Sequence, residues 1–108
     1  MIFVASTEER SLAAYETTQE AISYHEGLDV EAGEYLFWDA LGAPLQPEFI
    51  IPNKRGMFSV QNGVYVLVPA SGTHHAHLTE ALAELLHFQS PAPFNTAESV
   101  RAYIEGGI

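Results

Sequence analysis

Three histidines fall within four residues, His74-His75-Ala76-His77, and no other cluster in the chain has types and spacing so suited to chemistry. Imidazole nitrogens bind zinc. His74 and His77 stand at i, i+3, which places both on one face if they open a helix. Two imidazoles make half of a tetrahedral site. The rest would come from His25, His87 or a carboxylate supplied by the fold. The spacing of His75 and His77, followed by Glu80, adds no second site. Residues two apart point the same way on a strand, whereas this segment runs into a leucine-periodic helix. The pattern H-E-x-x-H is absent. The competing reading of His74 and His77 is a polar helix start, where the positive end of the helix keeps imidazoles neutral.

Other chemistry is thinner. Ser71 precedes the histidines, but there is no G-x-S-x-G elbow, and nearness in sequence does not make a dyad. Neither phosphate-binding glycine pattern occurs, so no cofactor is expected. The chain has no cysteine, which excludes disulfides, thiolate catalysis and cysteine-ligated zinc. Glu8-Glu9 and Asp29/Glu31 read as solvated surface. Lys54-Arg55 is the one adjacent basic pair, either a solubilising loop or a contact for a partner's anion.

Charge narrows the class of partner. Four Lys and Arg oppose 14 Asp and Glu, for a net charge of −10. Such a field repels nucleic acid and anionic membranes and attracts a basic protein. No run approaches the roughly 18 apolar residues that span a bilayer. The start, Met-Ile-Phe-Val-Ala, lacks a basic leader, and together with the missing cysteine this gives a cytoplasmic expectation.

The elements that must hold these residues are fairly clear. At 108 residues, the chain is expected to be a single domain over 1–108. Glu34 to Pro69 carries most strand formers and the single Trp. Asn62-Gly63 predicts a type I′ hairpin that pairs Gln61 with Val64, Val60 with Tyr65, Ser59 with Val66, Phe58 with Leu67 and Met57 with Val68. That register segregates Phe58, Val60, Tyr65 and Leu67 to a core face, and it predicts Val64–Val68 as an interior strand. A second hairpin turns at Asp39-Ala40-Leu41-Gly42. It returns through Phe49-Ile50-Ile51, which prolines 44, 47 and 52 push to a sheet edge.

The flanks read as follows. Ile2–Ala5 is a strand, and Ser11–Tyr15 is either a short helix or, the reading favoured, its hairpin partner across Thr7–Arg10. Thr17 with Glu20 has capping-box spacing for a helix closed by Gly27. Leu28–Gly33 is an acidic loop. Thr73 caps a helix carrying Leu78, Leu82, Leu85 and Leu86. Asn95 with Glu98 opens a last helix with Val100, Tyr103 and Ile104, closed at Gly106-Gly107. The fold class is α+β, a twisted antiparallel sheet of four to six strands with two or three helices packed on it.

The functional expectation is a non-catalytic protein-interaction domain, a candidate homodimer, facing a basic partner as an immunity-like antagonist would. Trp38, Lys54, Arg55, Val64 and Val66 are the candidate interface. The alternative is a small metal- or ligand-binding enzyme built on His74 and His77.

Overall fold

The central strand accounts for the architecture. In β1 (Ile2–Ser6), four successive apolar residues, Ile2 to Ala5, are buried. Alternate side chains of a strand point to opposite faces, so β1 must be covered on both sides. A computed structural model, describing residues 1–56, 60–71 and 73–106, shows that it is. Ile2 and Val4 join one cluster, with Ala21, Val30, Phe37, Leu45 and Tyr65. Phe3 and Ala5 join the other, with Leu12, Trp38, Leu78, Leu82 and Val100.

The main sheet has six strands. From one edge the order is β7 (Val64–Pro69), β4 (Pro44–Ile51), β3 (Tyr35–Trp38), β1, β2 (Ser11–Tyr15) and β8 (His87–Phe88). Every pairing is antiparallel except β2 with β8. The β1–β2 hairpin forms as expected, with Ser6 opposite Ser11. Helices α1 (Thr18–Ser23) and α2 (Gly27–Glu31) lie on the Val4 face; α3 (Leu78–Ala81) and α4 (Ala97–Gly106) lie on the Phe3 face. The class is α+β, with helices on both sides of the sheet.

The turn before β4 obeys its local chemistry. Asp39 Oδ1 accepts from the amides of Leu41 and Ala43, and Gly42 takes φ +80°. Strand β4 is longer than the expected Phe49–Ile51 return, and it is interior, with β7 at the edge. Pro47 and Pro69 are accommodated by ladder parity, and Pro44 by standing first in its strand. The Ala70 amide bonds Pro44 O. Alternation from there puts Pro47 and Pro69 at pairs that exchange no hydrogen bond with each other's strand. The nitrogen of Pro47 faces β3, whose ladder with β4 covers only Pro44 and Leu45.

The hairpin expected at Asn62-Gly63 does not form. Neither residue takes a positive φ. β6 (Val60–Gln61) instead pairs with β5 (Lys54–Arg55) in a two-stranded ribbon, and β7 pairs with β4. Glycine is required at 63 for another reason: a Cβ there would lie 2.0 Å from Ile51 O. The expected partners Met57, Phe58 and Ser59 lie outside the described residues.

Several helix boundaries also move. Thr17 caps α1 as predicted, accepting from the Glu20 amide. Gly27 does not close that helix. It opens α2, so the expected acidic loop is largely a short helix. α3 starts at Leu78, not after Thr73, and passes into a 3-10 turn over Leu82–Glu84. Leu86 is consequently exposed, because the chain has already turned toward β8. Thr96, not Asn95, accepts from the Ser99 amide at the start of α4.

Replacing Gly63 by Ala should destabilise the fold by roughly 2–4 kcal/mol, since the added carbon meets backbone. Gly33, with φ +81° and nothing within 4 Å of its missing Cβ, should cost only about 1–2 kcal/mol on the same change. Urea denaturation followed by Trp38 fluorescence measures both. Equal losses would contradict the close approach at Gly63.

Candidate interaction surfaces

Beyond Leu45, β4 leaves β3 and continues with β7 as a ribbon. One face of the ribbon carries Leu45, Phe49, Tyr65 and Leu67, packed into the core cluster that holds Ala21 and Ile22 of α1. The opposite face carries Gln46, Glu48, Val64, Val66 and Val68. There Val64 is 49% and Val66 36% exposed. This face is apolar on β7 and polar on β4, where Gln46 and Glu48 stand in place of the expected Met57–Gln61 partner. The expectation that the strand is interior does not hold, because among the described residues β4 is its sole neighbour.

The end of the ribbon is tied down by two amide side chains. Asn53 Oδ1 accepts from the Gly63 amide at 2.7 Å, and its Nδ2 donates to Gly27 O at 3.0 Å. Asn62 Oδ1 accepts from the Leu28 amide. A Cβ on Gly27 would sit 2.6 Å from Asn53 Oδ1, so that glycine permits the contact. The Tyr65 hydroxyl donates to His25 O at 2.7 Å, and burial pushes its pKa up to about 12. Lys54 and Arg55 are exposed on the small ribbon beyond this tie.

Trp38 is not part of any surface. It is 1% exposed, its indole N–H donates to Ala76 O, and its ring meets His75 edge-on. On β3 it faces the side that α3 and α4 cover, which no strand pattern could assign to one face or the other.

The histidines separate into structural roles. His75 Nε2–H donates to Phe37 O, so its Nδ1 is free to accept from His74 Nδ1–H at 2.7 Å. Burial lowers the His75 pKa, against a smaller rise from the Phe37 carbonyl. His77 Nδ1 accepts from the amide and hydroxyl of Thr79 and so caps α3. Its ring packs on Gly42, where a Cβ would meet it at 2.6 Å. His74 and His77 thus engage different partners, and among the described residues no three His, Asp or Glu side chains come together as a metal site.

A feature that the sequence did not single out lies at the β1–β2 turn. The Thr7 amide and hydroxyl both bond Glu34 O, which joins the β1–β2 turn to the loop before β3. This brings the Glu8-Glu9 turn against Asp29 and Glu34. A hydrogen bond and charge repulsion from Asp29, then Glu8, raise the Glu34 pKa. Burial raises that of Tyr35, with Asp29, Glu34, Glu9 and Glu26 adding to it. Beside this rim is a cavity of about 160 Å³ lined by Ser6, Glu9, Ser11, Tyr15, His25 and Tyr35. His25 stands among Tyr15, Tyr35 and Phe37 with both ring nitrogens buried and unpaired within the protein. Burial lowers its pKa. Only pairing across 26 residues, from Thr7 to Gly33, could have revealed the rim.

Comparison with protein-family models, curated proteins and solved structures finds no match.

Two kinds of outcome follow from the histidine geometry. His77→Ala should lose about 1 kcal/mol through the missing cap, and His77→Asn should restore it. Zinc or nickel should leave the melting temperature of the native chain unchanged, and a rise abolished by His77→Ala would reinstate a metal site. The second kind concerns pH. His25 and His75 have folded-state pKa values below 6.5, so the unfolded chain binds their protons first as pH falls. Their contribution to stability is complete above 6.5 and is lost as pH drops through that value. Glu34 acts in the opposite sense, but near its own lower range. The urea midpoint should therefore be lower at pH 5.5 than at pH 7.5, and His25→Phe should flatten that difference.

Proposed function

We propose that this protein is a non-catalytic, cytoplasmic protein-interaction domain that receives a basic partner at the acidic rim, in the manner of an antagonist. The observation that carries this reading is the gathering of Asp29, Glu34, Glu9 and Glu26 about Tyr35, with Glu8 beside Glu34, where Tyr35 and Glu9 line a small cavity. The charges acting on Glu34 and Tyr35 are all carboxylates, so the local field is uncompensated. A cation brought there would relieve the repulsion that raises Glu34.

The cavity is smaller than the 300–1,000 Å³ typical of small-molecule sites and suits a single side chain. Tyr15 and Tyr35 give the lining its aromatic walls, Glu9 a carboxylate, and Ser6 and Ser11 hydroxyl side chains. A lysine or arginine stem fits that lining, with the cationic head at the rim. Neutral His25 adds no repulsion at neutral pH. Lys54 and Arg55 are not among the charges that act on Glu34 and Tyr35. The net charge of −10 would accelerate encounter with such a partner.

Affinity capture from the source cells at 150 mM salt tests the reading, with the native chain beside the variant Glu9→Gln/Asp29→Asn/Glu34→Gln. A basic protein should be retained stoichiometrically by the native chain and at least tenfold less by the variant. Equal retention by both, or retention only of acidic or neutral proteins, would sink it.

A further inference from the structure

Among the described residues no strand pairs with the outer edge of β7, whose donor pattern is that of a strand made to pair with a copy of itself. Parity along the β4 ladder directs the backbone groups of Val64, Val66 and Val68 toward β4. Those of Tyr65, Leu67 and Pro69 point outward. Pro69 has no N–H. The Gly63 amide is already held by Asn53. The donors left on the edge are thus the N–H groups of Tyr65 and Leu67, placed symmetrically about Val66.

The geometry points to a two-fold homodimer in which β7 pairs antiparallel with β7 of a second copy, the axis passing Val66. Tyr65 then faces Leu67 of the other copy, and the four donors and four acceptors of these residues all pair. An axis one residue either way wastes groups. Centred on Leu67, it sets the Tyr65 carbonyl against Pro69, which cannot donate. Centred on Tyr65, it sets Leu67 against the committed Gly63 amide. The Val66 register also places Val66 opposite Val66 and Val64 opposite Val68, a valine ladder on the exposed face.

Charge selects a second copy over a basic chain at this edge. From Asn62 to Ser71 there is no charged residue. The nearest is Glu48, opposite Val66 on β4. Two copies of Glu48 would stand three strand spacings apart, about 14 Å. That exceeds the Debye length of about 8 Å at physiological salt. Length limits the strength. Five paired residues span only about 17 Å, too short a contact to bury the roughly 800 Å² per partner of a standard interface, so the dimer is weak and concentration-dependent. It is also closed. The opposite edge, β8, has only two residues, too few to template a chain of sheets.

This inference stands apart from the acidic-rim reading, and either can fail alone. Sedimentation velocity from micromolar to millimolar protein tests association, and single cysteines in a chain that has none test the register. The native chain should pass from monomer to dimer with concentration, and Val66→Lys should stay monomeric. Under mild oxidation Val66→Cys should crosslink at least tenfold faster than Val64→Cys or Val68→Cys, because only residue 66 meets itself. A native chain monomeric throughout would overturn the proposal. So would equal crosslinking at the three positions.

Discussion

Burial of β1 on both faces is the constraint from which the rest of this structure follows. Ile2 and Val4 need cover on one side, and Phe3 and Ala5 on the other. The chain answers with α1 and α2 against the first pair and with α3 and α4 against the second. Four short helices cannot cover a six-stranded sheet completely. The shortfall lies at the β4–β7 end, where one face and one edge remain bare. The interaction surfaces are thus what the core leaves over.

The two surfaces differ in chemistry as well as cover. One gathers carboxylates around Tyr35 by fastening the Thr7 turn to the Glu34 loop. The other is an uncharged strand with a basic tip. A cationic partner and a neutral strand would meet different surfaces.

How far the sequence disclosed this depended on the range of the signal. Thr17 announces α1 and Asp39 to Gly42 announce a turn because the deciding bonds lie within four residues. Asn62-Gly63 misleads because its deciding contacts are with Asn53, Ile51 and Leu28. Statistics of two-residue loops cannot see a backbone passing 2.0 Å from a missing Cβ. The leucine period after Thr73 is genuine through Leu82, but tertiary demand ends the helix there and turns the chain toward β2. The prolines of β4 argued for an edge because their tolerance at alternate ladder positions shows only once register is known. Of the candidate residues, Val64, Val66, Lys54 and Arg55 lie on the surface. Trp38 and the histidines were absorbed by packing and capping.

The clamp at Asn53 also bears on the chemical lifetime of the chain. An asparagine followed by glycine is the dipeptide most prone to deamidation, since the unhindered glycine nitrogen attacks the asparagine side-chain carbonyl to close a succinimide. At Asn62-Gly63 that nitrogen donates to Asn53 Oδ1, while the Asn62 oxygen accepts from Leu28. Ring closure must first break both bonds. Deamidation here is therefore gated by local opening of the tip, and the slow appearance of aspartate at position 62 would keep time on how often that end of the molecule comes undone.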